Sequence, residues 1–332
     1  MDELYMRLAV QAAWKYQGLA YPNPGVAAVV TLDGKLVSIA SHEKSGSSHA
    51  EVLALLKAYE FISGKTIEFD RGNAFLAHQF LRSLPSDFFT KCTMYVTLEP
   101  CNHKGKTPSC ASLLIDLHIK SVYIATLDPI PSHSGGAKRL QDSGVDVHIG
   151  LLQQEANELL EPFMIWQKRA FVLFKLAQTT NGRITEGVIS SLDSRIHTHK
   201  LRSVVSKLVI GGNTVRIDRP TLDCRLIDAK APDLLIYTAN GENIDKTIPL
   251  FNVPDRDIEL GDNLDFLQMP SLILVEGGEG MLRAWQDRID WLLIYQAPML
   301  NSKRLSYNID MKLKTLHHQN LGDDLIIWSK KI

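Results

Sequence analysis

Four side chains in the first third of the sequence are of the types that bind a metal ion and move protons. His49 and Glu51 lie two residues apart at the start of an apolar, helix-like run, SSHAEVLALL. Cys101 and Cys110 lie in TLEPCNHKGKTPSC, the first just past a β-rich run and the second at the predicted start of a helix. One imidazole and two thiolates suit zinc. Three protein ligands leave a fourth position for water, as in catalytic rather than structural zinc sites.

Helix geometry restricts how these side chains could meet. Residues two apart on a helix point to nearly opposite sides, so His49 and Glu51 cannot share a lateral face. They can share a site that lies off the helix N-terminus, where the first turn is open. At a neighbouring helix start, free N–H groups and the positive end of the helix dipole favour the thiolate forms of Cys101 and Cys110. Glu51 would then carry protons beside a water that the metal makes acidic, with a pKa of about 7.

The spacing of the cysteines separates this sequence from the general deaminase pattern. Zinc nucleobase deaminases carry His-x-Glu followed by Pro-Cys-x-x-Cys, whereas eight residues separate Cys101 from Cys110. His-Ala-Glu with EPCNHKGKTPSC, and PNP upstream, resembles the deaminase domain of the bifunctional riboflavin-biosynthesis deaminase/reductase family. The HAE motif or the cysteine pair alone is weaker evidence. HAE can arise by chance, and two cysteines could be buried thiols or a structural zinc pair. Cys92 and Cys224 match no part of the pattern and are expected to pack in the core.

Three further residues gain a role in the first domain only from this resemblance. It implies that the substrate is 2,5-diamino-6-(5-phosphoribosylamino)pyrimidin-4(3H)-one, whose 2-amino group is lost to give the corresponding uracil. Asn23 matches an asparagine that contacts the pyrimidine, His42 a histidine near the substrate, and Lys106 a basic position for the phosphate. Taken alone, Asn23 between two prolines is typical of a rigid turn, and His42 of a solvated strand end. His103 also fits the motif without an assigned role, and as a fourth ligand it would block the water position.

The resemblance continues through nearly the entire second half of the chain. FVLFKLAQTTNGRIT, HKLRS, VIGGNTVRIDRPTLDCR and LILVEGGEGML resemble successive segments of the family's reductase domain. That domain is related to dihydrofolate reductase in fold and uses NADPH to reduce the ribosyl group of the substrate to ribityl. The resemblance therefore implies two sets of ligand-binding residues. The substrate set is Lys175, Arg202, Leu222, Arg225 and Glu276, and the cofactor set is Thr214, Asp218, Gly278 and Gly280.

Glycine-rich strand ends agree physically with a ligand site in this half. Gly211 and Gly277 each follow an apolar run, and glycine lets the backbone come close to a ligand. Neither turn forms GxGxxG, so a Rossmann domain is not indicated. Without the resemblance, such a turn is more often only a tight turn, and each lysine or arginine of the substrate set would be a surface charge.

Several positions depart from the family pattern in the second half. Asn181 replaces the aspartate of an Asp-Gly loop, and Arg219 replaces a second acid after Asp218. In TEGVISS, Glu186 and Val188 stand where the family has Ser-x-Trp-Ile-Thr, so a tryptophan expected against the cofactor is absent. We therefore expect nicotinamide binding to differ in detail or in strength.

The composition limits the class of protein. The chain has 332 residues, 45% of them hydrophobic, and a formal net charge of −1. No basic block suggests nucleic acid, and no apolar run approaches the roughly 18 residues of a membrane span. Four cysteines do not make a disulfide framework in a chain this long, so we expect reduced cysteines and a cytoplasmic location. The expected partner is a small pyrimidine ribosyl phosphate, with no nucleic acid and no membrane, and the chain is expected to form a homo-oligomer, a dimer or a tetramer.

The order of elements predicts two α/β domains. The resemblance implies that residues 1–150 form a cytidine-deaminase-like α/β/α zinc domain and residues 170–332 a dihydrofolate-reductase-like α/β domain, with a connecting helix expected at 151–169. After a first helix at 3–17, the first domain should run β-β-α-β-α-β-α-β around a central sheet. Its strands are predicted at 26–31, 35–40, 93–98, 121–126 and 145–149, and its further helices at 49–59, 108–117 and 136–142. Buried strands are predicted in the second domain at 171–177, 207–212, 233–239, 272–278 and 291–298. Residues 61–92, with a helix around 73–84, and residues 240–270 resist assignment.

Three other functions stay open at this level. A deaminase of tRNA or DNA bases would need a basic surface and aromatic stacking near its pocket. A deaminase whose degenerate second domain only scaffolds a dimer would not bind NADPH. A zinc-stabilised module without catalysis would not depend on Glu51.

Overall fold

The chain folds as two compact units. The computed structural model describes residues 1–102, 105, 107–184, 187–239, 244–302 and 306–332. The units are Met1–Phe163 and Met164–Ile332, and the division falls within helix α6 (Gln153–Trp166), which occupies most of the predicted connecting segment. The domain limits 1–150 and 170–332 stay a prediction. Among the described residues, no helix combines the length and the apolar composition that crossing a membrane requires.

The first unit is a five-stranded sheet with helices packed on it. In chain order its elements are α1 (Asp2–Trp14), β1 (Ala27–Leu32), β2 (Lys35–Ser41), α2 (Ala50–Ser63), α3 (Ala74–Arg82), β3 (Cys92–Leu98), α4 (Cys110–Asp116), β4 (Ser121–Thr126), α5 (Gly136–Asp142) and β5 (Asp146–Ile149), followed by α6. The strands lie in the order β2-β1-β3-β4-β5. The predicted order of strands and helices is confirmed, and the helix expected near residues 73–84 is α3.

The direction of the strands brings two helix starts to one edge of this sheet. Strand β1 is antiparallel to both of its neighbours, β2 and β3, so these two run in the same direction. The hairpin that reverses the chain between β1 and β2 turns at Asp33 and Gly34, whose φ angles of 49° and 75° fit a type I′ turn. Helix α2 follows β2 and helix α4 follows β3, so both helices begin near the same sheet edge.

The core of the first unit lies between the sheet and the helices α2, α4 and α5. Leu55 and Leu56 of α2, Met94 of β3, Leu113 of α4 and Val122 of β4 are fully buried in one cluster. Cys92 also belongs to this cluster, so its predicted role in core packing is confirmed. The sheet and its helices therefore form a rigid support for the loops at the sheet edge.

The second unit is an eight-stranded sheet with its own helices. In chain order its elements are β6 (Ala170–Thr179), α7 (Leu192–Val204), β7 (Lys207–Gly211), α8 (Gly212–Asp218), β8 (Asp233–Tyr237), β9 (Ile258–Gly261), β10 (Ser271–Glu276), α9 (Glu279–Trp285), β11 (Trp291–Ala297), β12 (Leu313–Leu321) and β13 (Asp324–Lys331). The strands lie in the order β12-β13-β11-β6-β10-β7-β8-β9, and all neighbours from β11 to β9 are parallel. The five predicted buried strands are β6, β7, β8, β10 and β11.

Several elements of the second unit were not predicted from the sequence. Helix α7 buries Ser194, His197, Thr198, His199 and Leu201, so its inner face is mostly polar and gives no hydrophobic periodicity. Strands β12 and β13 form a hairpin at the end of the chain, and β12 alternates between exposed and half-buried residues only. Strand β9 lies at the opposite edge, inside the polar segment that resisted assignment.

Candidate functional site

His49, Cys101 and Cys110 converge at the edge of the first sheet. Their ligand atoms all lie within 4.8 Å of one another, a separation that a single metal ion can bridge. His49 is the N-cap of α2, with extended backbone angles (φ −72°, ψ 165°), and Glu51 is the second residue of the helix. Because His49 stands outside the helix, it does not obey the helical spacing that would turn it away from Glu51.

Hydrogen bonds fix the orientation of the three ligands. The Nδ1 atom of His49 lies 3.6 Å from Cys101 Sγ and 3.5 Å from Cys110 Sγ, whereas its Nε2 lies 3.2 Å from Thr107 Oγ1. Nδ1 is therefore the atom placed to bind a metal, and Nε2 faces Thr107, the kind of outer contact that metal-bound histidines usually make. The Cys110 backbone N–H donates to Cys101 Sγ over 3.4 Å.

A shared hydrogen bond sets the charges of the two cysteines. It lowers the pKa of Cys101 and, together with burial, raises the pKa of Cys110. Two sulfurs and one imidazole nitrogen are a donor set that zinc prefers. Among the described residues, the cluster contains no fourth histidine, cysteine or carboxylate. His103, the fourth ligand considered from the sequence, lies outside the described residues.

A cavity of about 230 Å³ opens beside the cluster, and Glu51 lines it. Glu51 is only 4% exposed, and burial raises the pKa of its carboxyl group to about 6. The group is therefore mostly ionised at neutral pH and still close enough to its pKa to take up and release a proton. Glu51 does not belong to the metal-binding group itself, so its carboxylate remains available for proton transfer.

Asn23 and His42 form one polar wall of the same cavity. Burial, followed by the nearby His49, lowers the pKa of His42 to about 4, so the ring is neutral at pH 7. Its Nδ1 lies 3.2 Å from the Ser48 carbonyl oxygen and must carry the proton, so Nε2 accepts from the Asn23 amide over 2.9 Å. The Asn23 side-chain oxygen is thereby left to accept from a ligand. The interpretation of His42 as a solvated residue is wrong, because its ring is buried.

Glu99 shapes the other wall of the cavity and was missed in the sequence. Its carboxylate accepts hydrogen bonds from the backbone N–H groups of Asp128, Gly135 and Ala137, over 2.8–3.0 Å. These bonds tie the end of β3 to the loop before α5. Gly136, the first residue of α5, lies so close that an added Cβ would stand 1.9 Å from the Pro100 carbonyl oxygen. The sequence carries no signal for these contacts, because the partners of Glu99 are backbone groups.

A larger cavity, of about 870 Å³, lies in the second unit at the carboxyl ends of its parallel strands. Open parallel sheets usually bind their ligands at this edge. A second cavity of about 470 Å³ adjoins it and shares Lys175, Arg202, Asp218 and Leu222 with it. All nine residues of the predicted substrate and cofactor sets line one or both cavities. The larger one is lined by Lys175, Arg202, Leu222, Glu276, Thr214, Asp218, Gly278 and Gly280, and Arg225 lines the other.

A buried carboxylate organises the charges that the two cavities share. Glu276 accepts two hydrogen bonds from Arg202, over 2.7 and 2.8 Å, and lies 3.6 Å from Lys175 Nζ. Burial alone would raise the pKa of Glu276, but Arg202 and Lys175 lower it to about 2. The Arg202 side chain is only 11% exposed, so the interpretation of this residue as a surface charge is wrong.

Arg256 holds the loop that presents Leu222. Its guanidinium donates to the carbonyl oxygens of Leu222, Thr221 and Leu250, over 2.7, 3.2 and 2.6 Å. Leu222 is buried and has a φ of 57°, a conformation that a branched side chain rarely adopts without support. Arg256 lies in the polar segment that resisted assignment, and no pattern in the sequence marked it.

Residues 1–126 match the family profile described as the cytidine and deoxycytidylate deaminase zinc-binding region. The riboflavin biosynthesis protein RibD of Aquifex aeolicus (strain VF5) is 31% identical over 379 aligned positions, which cover 100% of this chain and 99% of that protein. The chain belongs to the RibD family. RibD of Actinobacillus pleuropneumoniae is 36% identical over 236 positions, covering 69% of this chain and 56% of that protein.

A solved RibD-type structure has the same overall fold. The diaminohydroxyphosphoribosylaminopyrimidine deaminase/5-amino-6-(5-phosphoribosylamino)uracil reductase of Thermotoga maritima superposes with a TM-score of 0.67 and 26% sequence identity. The superposition covers 100% of this chain and 99% of that chain. The predicted combination of a cytidine-deaminase-like domain and a reductase domain is therefore confirmed, as in other RibD proteins.

Two residues named from the sequence lie outside the described residues: Lys106, which matches the RibD pattern, and Glu186, which departs from it. Two other departures, Val188 and Arg219, lie within them. Val188 is 72% exposed and lines the smaller cavity of the second unit, where it offers no aromatic surface. Arg219 also lines that cavity, with a φ of 43° and hydrogen bonds to Asp245 and Thr247. The individual substrate and cofactor contacts of this RibD chain stay predictions.

Replacement of Cys110 by serine should remove the metal. Wild-type protein purified with zinc is expected to hold about one zinc per chain by inductively coupled plasma mass spectrometry, and Cys110→Ser close to none, because a neutral hydroxyl is a poor zinc ligand. Cys92→Ser is the matched control, since Cys92 is equally buried in the same unit and lies outside the cluster. Equal zinc contents in the two variants would contradict the assignment of the ligands.

Replacement of Arg256 by methionine should loosen the Leu222 loop. In this variant the three carbonyl oxygens lose their charged donor, and each such hydrogen bond stabilises the fold by about 1.5–3 kcal/mol. Amide hydrogen exchange at Leu226 and Leu250 should therefore accelerate at least about tenfold. Both amides are hydrogen bonded in or beside this loop. Arg169→Lys, which alters an ion pair with Asp290 and lines neither cavity, should leave their exchange unchanged. Unchanged exchange in the Arg256→Met variant would show that the loop holds its own conformation.

Proposed function

We propose that this chain catalyses two successive steps of riboflavin biosynthesis. The first is zinc-dependent hydrolytic deamination of the diaminopyrimidine ribosyl phosphate to the aminouracil. The second is NADPH-dependent reduction of its ribosyl group to ribityl. The observation that carries the proposal is the His49, Cys101 and Cys110 cluster beside a buried Glu51, in a chain that aligns with RibD over its whole length.

The residues of the first cavity suit hydrolytic deamination. Zinc, when bound by His49, Cys101 and Cys110, supplies the Lewis acidity that activates a water for attack on the amino-bearing ring carbon. Glu51 takes a proton from that water and delivers protons to the departing amine, so that ammonia leaves. Asn23 accepts a hydrogen bond from the ring N–H of the pyrimidinone, because its amide N–H already donates to His42. Buried His42 stays neutral and holds Asn23 in that orientation.

The residues of the second unit suit reduction of a phosphorylated sugar. A hydride from the nicotinamide and a proton would convert the ribosyl group to ribityl, leaving oxidised cofactor. Lys175, Arg202 and Arg225 supply positive charge to the smaller cavity, and arginine offers the paired donors that phosphate favours. At the strand ends of the larger cavity, a Cβ added at Gly278 would stand 4.0 Å from its nearest neighbour, and one added at Gly280 would have no neighbour within 4 Å, so both positions leave room for a ligand.

Two rival functions make different predictions. The departures at Val188 and Arg219 favour a deaminase whose second unit serves only as a scaffold, and such a protein would not bind NADPH at millimolar concentration. A nucleic-acid base deaminase would bind polyanions tightly and in a salt-sensitive way, which a net charge of −1 does not favour. The cytoplasmic location and the homo-oligomeric state stay predictions.

Product analysis with a Glu51→Gln variant tests the proposal. With the diaminopyrimidine phosphate alone, wild-type protein should yield ammonia and the aminouracil by mass spectrometry, and with NADPH the ribityl product. Glu51→Gln should retain zinc and lose deamination by about 10²–10⁴-fold, because it removes the proton carrier and no ligand. Glu60→Gln, a change on the same helix but outside the cavity, is the control.

Each outcome of this experiment has a separate meaning. Ammonia release without the ribityl product would leave the deaminase and remove the reductase. Full activity of Glu51→Gln would contradict the deamination chemistry proposed for the first cavity.

A further inference from the structure

A turn at residues 70–73, within the segment that resisted assignment from the sequence, holds Ser48 in place. The Ser48 side chain is fully buried. Its hydroxyl donates to the Arg71 carbonyl oxygen over 2.7 Å, and its backbone N–H donates to the Gly72 carbonyl oxygen over 2.9 Å. Two hydrogen bonds therefore fix Ser48 against this turn.

The turn has hydrogen bonds of its own and is anchored to the core. The Asn73 backbone N–H donates to the Asp70 carbonyl oxygen over 3.0 Å, and the Gly72 N–H donates to the Asp70 carboxylate over 2.9 Å. Helix α3 begins at the next residue, and its Ala77 and Leu81 are fully buried in the core of the first unit. The core of the unit thus sets the position of the turn.

The carbonyl oxygen of Ser48 connects this turn to the wall of the first cavity. His42 Nδ1 lies 3.2 Å from that oxygen, and His42 Nε2 lies 2.9 Å from the Asn23 amide nitrogen. The His42 backbone N–H donates to the Val26 carbonyl oxygen over 2.8 Å, and the ring stands edge-on to the His49 ring with centroids 5.3 Å apart. Asn23 and His42 line the cavity, whereas Ser48 does not. Ser48 therefore reaches a ligand through these two residues.

The order of donors along this chain of hydrogen bonds decides what Asn23 presents to a ligand. A carbonyl oxygen only accepts, so the neutral His42 ring carries its proton on Nδ1 and accepts at Nε2. The Asn23 amide then directs its NH2 group to His42 and its oxygen into the cavity. If the Ser48 carbonyl were displaced, the other tautomer of His42 would become accessible. An Nε2–H group would turn the Asn23 amide around, so that a donor would face the ring N–H of the pyrimidinone.

We infer that Ser48 is a positioning residue for deamination. Held by the turn, it fixes the tautomer of His42, and His42 makes Asn23 a hydrogen-bond acceptor toward the substrate. The inference rests on the proposed deaminase function and gives a role to part of the segment 61–92. The ring selected in this way carries an N–H beside its amino-bearing carbon, as the pyrimidinone does, whereas cytosine offers an acceptor there.

A double-mutant cycle on the full chain tests the inference. Ser48→Ala removes the hydroxyl that holds this residue to the turn. It should raise KM for the diaminopyrimidine phosphate about 3- to 10-fold, the worth of one hydrogen bond. Its kcat and zinc content should stay close to those of the wild type, because Glu51 and the metal ligands keep their places. In an Asn23→Ala background the same change should leave KM unaltered, because Ser48 acts through Asn23.

Ser38→Ala is the matched control. The Ser38 side chain is also buried, and its hydroxyl donates to the Ala54 carbonyl oxygen over 2.7 Å. This bond joins β2 to α2 and involves neither Asn23 nor His42. Its loss should lower the thermal stability about as much as Ser48→Ala does and leave KM unchanged in both backgrounds.

Nitrogen NMR of the His42 ring gives a second readout, which needs no substrate. Long-range proton–nitrogen correlation spectra, assigned with a His42→Gln variant, should show the wild-type proton on Nδ1. Ser48→Ala should add the form with the proton on Nε2, and Ser38→Ala should not.

Three results would overturn the inference. An equal rise of KM in the wild-type and Asn23→Ala backgrounds would show that Ser48 acts on the fold as a whole. Loss of zinc in Ser48→Ala would assign Ser48 to holding His49. A wild-type His42 ring protonated on Nε2 would exclude the order of donors, even in a fully active protein. If the wild type released no ammonia but gave the expected His42 spectra, the proposed function would fall and the positioning of Asn23 would stand.

Discussion

The first active centre depends on two helix starts that meet at one edge of a sheet. Strand β1 lies between β2 and β3 and is antiparallel to both, so the loops after β2 and β3 leave the sheet on the same side. His49 is the N-cap of α2, and Cys110 is the first residue of α4. Cys101 and Cys110 lie 52 and 61 residues from His49 in the sequence. They come close to His49 because the strand directions bring the two helix starts to the same edge of the sheet.

In the second unit, buried ion pairs hold the ligand-facing side chains in place. Its cavities also lie at the carboxyl ends of parallel strands, where Glu276 ends β10 and pairs with Arg202 of α7 and Lys175 of β6. Removing one member of a buried ion pair typically costs about 3–5 kcal/mol, so the three side chains are held together before any ligand binds. In both units, the groups that face the ligand are fixed by contacts within the protein.

The parts that could be predicted from the sequence are those whose residue types carry the information. The apolar strands are of this kind. So are His49, Cys101 and Cys110, because histidine and cysteine in this combination are typical of a zinc site. Helix α7 could not be predicted, since it buries histidine, serine and threonine where a helix usually buries aliphatic residues. Glu99 and Arg256 could not be predicted either, because their partners are backbone groups, which every residue has.

The proposed deamination depends most on a zinc ion with two sulfur ligands, one nitrogen ligand and one position open to water. X-ray absorption at the zinc edge measures this directly on the purified protein. The spectrum should show two sulfur scatterers at about 2.3 Å, one imidazole nitrogen at about 2.0–2.1 Å and one further light scatterer. The imidazole should be lost from the spectrum of a His49→Ala variant. A spectrum with a second imidazole or a third sulfur would show a closed structural site and contradict the proposed deamination.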